Sequence, residues 1–227
     1  MPRQPEDYQA VESSEWLSDS QKLIITDTGT GQWLSQWMQS SHFAPIDKLV
    51  SVSRGITPFV KAKPKENRLT ALGFFGSVDR YALDVKEFAP VVYESSLAEY
   101  KPIKFFTGPR LIIRRIISRQ HRIHATLVRE EFIVNKSSLP AIATSTDYTL
   151  AYVLALINSK LASLAFVARS EIAKRDDFPQ LDIATVREFP IRRIAFTTPK
   201  EERAQLVEDG KQMYFEALEK LGLEGPE

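Results

Sequence analysis

The chain has 227 residues, of which 43% are hydrophobic and 26% are charged, and 30 Lys and Arg nearly balance 29 Asp and Glu for a net charge of +1. This composition is typical of one large or two small globular domains. The lack of cysteine excludes disulfides, zinc–thiolate sites and thiol nucleophiles. No apolar run approaches the ~20 residues that a membrane span needs, and no signal-peptide pattern opens the sequence.

The small net charge conceals a polarised chain. Residues 101–136 contain nine Lys or Arg and two acidic residues, a local charge of +7. The first 27 residues and residues 198–227 each carry a charge of −4. A basic centre between acidic ends favours binding of a polyanion at the centre. The alternative is a solvated basic strand surface.

The pattern of residues 1–68 predicts one helix, one extended segment and irregular structure around them. Residues 1–29 are polar and acidic, and we expect an N-terminal lead-in there. A helix is predicted from Thr30 to Met38, where apolar residues fall on one face, and an extended segment from Leu49 to Arg54 ends at a turn at Gly55. The run 57–68 is rich in Lys and Pro and predicts a surface loop.

A set of short strands follows. The predicted strands are Leu72–Phe75, Tyr81–Leu83, Leu111–Ile117, Arg122–Val128 and Phe132–Asn135. Within Arg122–Val128 the side chains alternate, with Ile123, Ala125 and Leu127 on one side and Arg122, His124 and Thr126 on the other. The pattern predicts a small mixed or antiparallel sheet with one basic face.

Two helices complete the prediction. A long central helix is expected from Tyr148 to Ala168 with Asp147 as its N-cap, because apolar residues recur at steps of three and four; they are Leu150, Leu154, Ile157, Leu161, Leu164 and Ala168. A capping box from Thr198 to Glu201 begins a final helix that runs to Gly222. The predicted class is α+β: a small mixed or antiparallel sheet packed with a long central helix, plus a C-terminal helix. The predicted divisions are a lead-in (1–29), a central domain (30–197) and a C-terminal helix that is a candidate for docking a partner (198–227).

The sequence offers little catalytic chemistry. The pair Gly29 and Gly31 is a weak match to a glycine-rich cofactor turn, and no phosphate loop or Pro-Pro-aromatic methyltransferase motif is present. The three histidines lack the spacing of a zinc site, so no metal is predicted. One alternative is a minimal Mg²⁺-dependent nuclease using Asp84, Glu99 and Lys101. However, residues 94–101 look like a short helix or loop, whereas that chemistry needs Glu and Lys along a strand.

Several segments, in order, resemble a known family. They are GPRLIIRRIISRQHRIHATLVREEFIVNKSSL (108–139), YVLALINSKLASLAF (152–166), the segment from Phe178 to Ile191, the opening from Trp33 to Ile56, and PKEERAQLVE (199–208). Together they are similar to the TaqI-type C-terminal specificity domain of adenine-N6 DNA methyltransferases and combined restriction-modification enzymes. The resemblance spans roughly residues 30–222.

The resemblance implies a function in DNA target recognition that is not catalytic in this chain. In the family a methyltransferase domain precedes the specificity domain, so this sequence is expected to be a fragment or a free-standing unit. S-adenosylmethionine is then expected on that catalytic domain, and no cofactor is expected here. The implied partners are double-stranded DNA and a methyltransferase catalytic domain or subunit, in a bacterial cytoplasm and without a membrane. The alternative is an interaction module that docks on such a partner without recognising DNA.

Candidate DNA-contacting residues carry cationic, amide or imidazole groups, which bind phosphates or base edges. They are Arg54, Lys61, Lys63, Arg114, Arg115, Arg119, Gln120, His121, Arg122, His124, Lys174 and Arg175. Arg119, Gln120 and His121 are placed in a turn between two strands, where a side chain could reach a groove. Asn158 and Lys160 are expected to have packing and hydrogen-bonding roles.

Overall fold

A computed structural model of the chain describes residues 43–63, 67–118, 122–146, 148–170, 172–173, 179–193 and 200–220. The chain divides into two units, Ser41–Arg203 and Met1–Ser40 with Ala204–Glu227. The described strands are β1 (Phe43–Pro45), β2 (Val50–Val52), β3 (Thr70–Asp79), β4 (Ala82–Val92), β5 (Arg110–Arg114), β6 (Ala125–Val128), β7 (Ser138–Ala143) and β8 (Pro190–Arg192). The described helices are α1 (Leu150–Ile157), α2 (Lys160–Arg169), α3 (Ile183–Arg187) and α4 (Lys200–Lys220), with 3₁₀ turns at Ile46–Lys48 and Ile103–Phe105.

The centre of the first unit is a four-stranded antiparallel sheet in the order β2-β7-β5-β6. In its inner strand β5 the three central residues, Leu111–Ile113, are apolar and buried, as expected for a strand covered on both faces. Strands β3 and β4 form a separate long hairpin, and β1 pairs with β8. Antiparallel strands and separate helices make the fold α+β, which confirms the predicted class.

Apolar layers cover both faces of the central sheet. On one face Leu111 and Ile113 pack in a cluster with Ile157 and Phe166 of the helices. On the other face Ile112 belongs to a second cluster that contains residues of the hairpin. The predicted single basic face is therefore wrong, because hairpin residues 70–92 cover the face that strand alternation had left to solvent. Thr126, placed on that basic face, is 3% exposed.

The predicted long central helix is broken into two. Helices α1 and α2 meet at Asn158 and Ser159 and are bent by 63°. Ser159 acts as the N-cap of α2, with its Oγ accepting a hydrogen bond from the Ala162 N–H at 3.0 Å. Because α2 restarts with a new rotation, it buries Ala162, Ala165 and Phe166 instead of the predicted stripe.

The ends and lengths of other elements also differ from prediction. Thr149, and not Asp147, caps α1 by accepting a hydrogen bond from the Tyr152 N–H. The two short strands predicted at Leu72–Phe75 and Tyr81–Leu83 belong to one hairpin, whose strands β3 and β4 are ten and eleven residues long. Residues 132–135 make isolated bridges through Ile133 and Asn135 and do not form a strand.

Some predictions lie outside the described residues. They include the lead-in at 1–29, the helix at 30–38, Asp147, the cap at 198–199 and the end of the final helix at Gly222. Within the described part of the chain, no single helix is long and apolar enough to cross a membrane; α1 and α2 meet that criterion only as a bent pair.

Candidate nucleic-acid interface

The strand register brings the candidate basic residues to one end of the central sheet. Arg114 ends β5 and lies opposite Ser138, the first residue of β7, while Ile113 lies opposite Ala125, the first residue of β6. The segment after β2 follows β7 to this same end, where the Gly55 N–H donates to the Ser138 carbonyl at 3.0 Å. We call this the basic end; its members are Arg54, Arg80, Arg114, Arg115, Arg122 and His124.

The tip of the β3–β4 hairpin also lies at the basic end. The Tyr81 N–H donates to the Ala125 carbonyl at 2.9 Å, which fixes the tip against the start of β6. Asp79 Oδ1 lies 3.9 Å from Arg114 Nη1 and 3.5 Å from His124 Nδ1. One half-exposed carboxylate therefore lies between two groups that were predicted to contact DNA.

A second turn supports the basic end from the other side. A Cβ on Gly55 would overlap the backbone carbonyls of Val134 and Asn135, so only glycine permits this close approach. Asn135 closes its own turn by accepting a hydrogen bond at Oδ1 from the Ser137 N–H at 2.9 Å. The contact between the two turns places Arg54 beside the sheet end.

Arg54 and Arg115 are close enough to repel each other. Burial lowers the pKa of Arg115, and the charge of Arg54 lowers it further, while Glu99 and Asp182 act in the opposite direction. Like charges at short range raise the free energy of the unbound surface, and a bound anion would relieve this repulsion.

A cleft opens between the hairpin and the sheet, beside the basic end. Its volume is about 190 Å³. Its walls are Phe74, Gly76, Ser77, Val78, Arg114, Ile116, Asn135, Ser137 and Ser138. One cation and several hydroxyl and amide groups therefore lie around a small space near the strand ends.

Asn158 holds the start of β6 in place. Its Oδ1 accepts a hydrogen bond from the Ala125 N–H at 2.8 Å and its Nδ2 donates to the Ala125 carbonyl at 2.9 Å. The Ser163 Oγ accepts from the Ile123 N–H at 3.0 Å, and Arg122 Nη2 donates to the Asn158 carbonyl at 3.0 Å. The helix break thus supplies the hydrogen bonds of a missing neighbouring strand, as expected for a buried edge. The predicted hydrogen-bonding role of Asn158 is confirmed.

The structure separates the candidate residues into groups. Arg54, Arg114, Arg115, Arg122 and His124 come together at the basic end, although Arg114 faces the hairpin and Arg115 faces the helix side of the sheet. Lys61 does not join them: it pairs with Glu87 of β4 and lies over the Phe75 ring. Lys63 is exposed in the loop that follows. Arg119, Gln120, His121, Lys174 and Arg175 lie outside the described residues.

Not all of the central charge is at the surface. Arg110 is fully buried, donates to the Gly108 and Phe132 carbonyls, and lies over the Phe132 ring at 4.7 Å. Burial lowers the pKa of Arg110 to about 10, so it stays cationic at neutral pH. The local charge of +7 therefore overstates the number of basic groups available to a ligand.

Asp79, Arg80 and Tyr81 at the hairpin tip were not predicted as site residues, and Tyr81 was predicted only as the start of a strand. The two-residue connection has neither Gly nor Asn, which are the usual signals of such a turn. Because no turn residue marks this connection, the sequence pattern did not predict that residues 79–81 would lie at the basic end of the central sheet.

The structure gives no support to the nuclease alternative. Asp84 lies on β4 beside Ser77, and Glu99 pairs through its backbone with Thr57. In the described ranges, no group of three or more His, Asp or Glu side chains is arranged to hold a metal ion.

These features define an α+β domain with a positively charged end suited to a polyanion, and comparison with known proteins identifies its family. Residues 74–191 match the TaqI-like C-terminal specificity domain. The chain belongs to this family, as the sequence predicted, and the predicted role in target recognition agrees with a family of specificity domains.

The chain is also similar to two other proteins. Over 129 residues, 56% of the chain, it is 33% identical to a Methanocaldococcus jannaschii protein named as a type II restriction enzyme and methyltransferase, of which it covers only 11%. The S subunit of a type I restriction-modification system from M. genitalium aligns with 92% of the chain and 48% of the subunit, at 12% identity and a TM-score of 0.35.

Proposed function

We propose that this chain recognises a sequence in double-stranded DNA on behalf of an adenine-N6 methyltransferase of a restriction-modification system. The observation that carries the proposal is the gathering of Arg54, Arg114, Arg115, Arg122 and His124 at one end of a rigid sheet. Family membership supports the same function. In this proposal the chain has no catalytic group of its own.

The basic end would bind DNA in two ways. Arginines at the strand ends contact phosphates, which gives affinity and a steep dependence on salt concentration. Polar side chains near the hairpin tip and the cleft contact base edges, which gives sequence preference. Rigidity supports both functions, since Asn158 and the Gly55 contact hold the neighbouring backbone in place.

The chemistry belongs, in this proposal, to a partner. A methyltransferase catalytic domain or subunit would bind S-adenosylmethionine, which supplies the methyl group, and would receive the target adenine flipped out of the duplex. This chain would position the duplex for that step.

Binding to random-sequence duplex DNA tests the proposal. We expect fluorescence anisotropy to show affinity that falls steeply between about 50 and about 200 mM salt. Arg114→Ala should weaken binding and lower the salt slope by about 1, as expected when one phosphate contact is lost. The matched control is Arg129→Ala, because Arg129 is an exposed arginine just past the opposite end of β6.

Two results would contradict the proposal. Weak binding that does not change with salt would favour the interaction module that docks on a methyltransferase without recognising DNA. Equal effects of Arg114→Ala and Arg129→Ala would show that net charge alone, and not the basic end, determines binding.

A further inference from the structure

The hairpin tip has an unusual backbone for its residues. Strands β3 and β4 are joined by only Arg80 and Tyr81, and Tyr81 has φ of 64°. This left-handed region favours glycine, because a Cβ crowds the following carbonyl. Two-residue hairpin connections normally place Gly or Asn at such positions. A tyrosine here therefore carries backbone strain.

Packing does not account for the tyrosine. Tyr81 is 52% exposed, so burial of its ring offsets little of the strain. What the ring does contact is the neighbouring guanidinium: Arg80 Cζ lies 5.3 Å from the ring centroid. Strain at an exposed residue next to a binding surface is a recognised sign of function.

The position of this pair relates it to the basic end. The Tyr81 N–H donates to the Ala125 carbonyl, and Asp79, one residue before Arg80, lies beside Arg114 and His124. An exposed arginine that stacks on an aromatic ring keeps its planar fork oriented, and a two-stranded β-ribbon fits the DNA major groove. The fork matches the O6 and N7 acceptors of guanine.

We propose that Arg80 is a specificity-determining residue that contacts a guanine edge in the major groove, and that Tyr81 is the positioning residue that orients its guanidinium. This inference rests on the proposed DNA recognition and adds to it a named residue and a base. It assigns sequence preference to the hairpin tip and leaves phosphate binding to the strand ends.

The test is selection from a randomised duplex pool by the full chain, with sequencing of the bound fraction. Arg80→Ala and Arg80→Lys should both lose enrichment of guanine at one position, by roughly tenfold to a hundredfold, because neither retains the planar fork. Enrichment at the other positions should persist. Arg129→Ala, at the opposite end of the sheet, should retain the whole preference.

Variants of Tyr81 separate positioning from folding. Tyr81→Phe keeps the ring and should keep the guanine preference. Tyr81→Gly suits the positive φ, so its melting temperature should equal or exceed that of the parent chain, yet its guanine preference should fall by roughly twofold to fivefold. A loss of preference together with a lowered melting temperature would overturn the positioning role.

The outcomes distinguish this inference from the proposed function. If the parent chain selects a sequence and Arg80→Ala selects the same one, only the present inference fails. It also fails alone if Arg80→Ala weakens binding to all sequences equally, because that result indicates a phosphate contact. If the parent chain shows no salt-dependent binding and no selection, both proposals fail.

Discussion

The oxygen and the nitrogen of the Asn158 side-chain amide are both hydrogen-bonded to the backbone of a single residue, Ala125, at 2.8 and 2.9 Å. Asn158 is fully buried, so water cannot replace these bonds. The side chain acts as a short neighbouring strand at the edge of the sheet, immediately after Arg122 and His124 of the basic end. The break between α1 and α2 is thus joined to the start of β6 by these two hydrogen bonds.

Replacing this side chain should destabilise the domain. Asn158→Ala leaves the buried N–H of Ala125 without a partner, at about 1–3 kcal/mol in the free energy of unfolding, whereas the Ala125 carbonyl keeps its hydrogen bond from the Tyr81 N–H. Urea unfolding followed by circular dichroism measures the change. Ser159→Ala removes only a helix cap beside it and should cost about 1 kcal/mol. A loss for Asn158→Ala no larger than that of Ser159→Ala would contradict this account.

Two glycines should respond in opposite directions to the same substitution. Gly55→Ala places a Cβ into the backbone of Val134 and Asn135, so it should lower stability and disturb Arg54. Gly210→Ala meets nothing within 4 Å in helix α4 and should raise stability by about 0.5–1 kcal/mol. Thermal unfolding of both variants, with DNA binding of the first, provides the check; similar melting temperatures would show that the Gly55 contact is loose.

Removing the carboxylate at the hairpin tip should strengthen DNA binding. Asp79→Asn relieves the partial neutralisation of Arg114, so affinity for random duplex DNA at low salt should rise roughly twofold to fivefold, the range of an exposed ion pair. Asp84→Asn, on the same hairpin, makes the same change in net charge beside Ser77. Anisotropy titrations in which both variants bind equally well would indicate a general charge effect only.

Stability should fall at alkaline pH through Tyr152. Burial raises the pKa of this hydroxyl from 10.0 to about 12, with Tyr148 adding to the rise. The folded state therefore holds its proton where the unfolded state has lost it, so the contribution is complete below pH 10 and is lost as the pH rises through about 12. Tyr152→Phe should lessen the fall in unfolding free energy over this interval relative to the parent chain. An unchanged alkaline profile would show that Tyr152 does not titrate there.

Segment order and local pattern were enough to predict the family and the class. Residues 108–139 and 152–166 carry a family resemblance that the match over 74–191 confirms. A short β-type run predicted a strand at 111–117, and alternation predicted one at 122–128. In the structure β5 (Arg110–Arg114) overlaps the first range and β6 (Ala125–Val128) lies within the second. These features are local, and local patterns depend on neighbours along the chain.

Tertiary structure alone decided which charges are accessible. Arg110 and Arg114 are the two ends of one strand, RLIIR, yet Arg110 is sealed beneath Phe132 and Arg114 lies at the cleft. The sequence determined that this region is basic. Which of its arginines can meet a ligand depends on residues 22 or more positions away, whose packing no local pattern specifies.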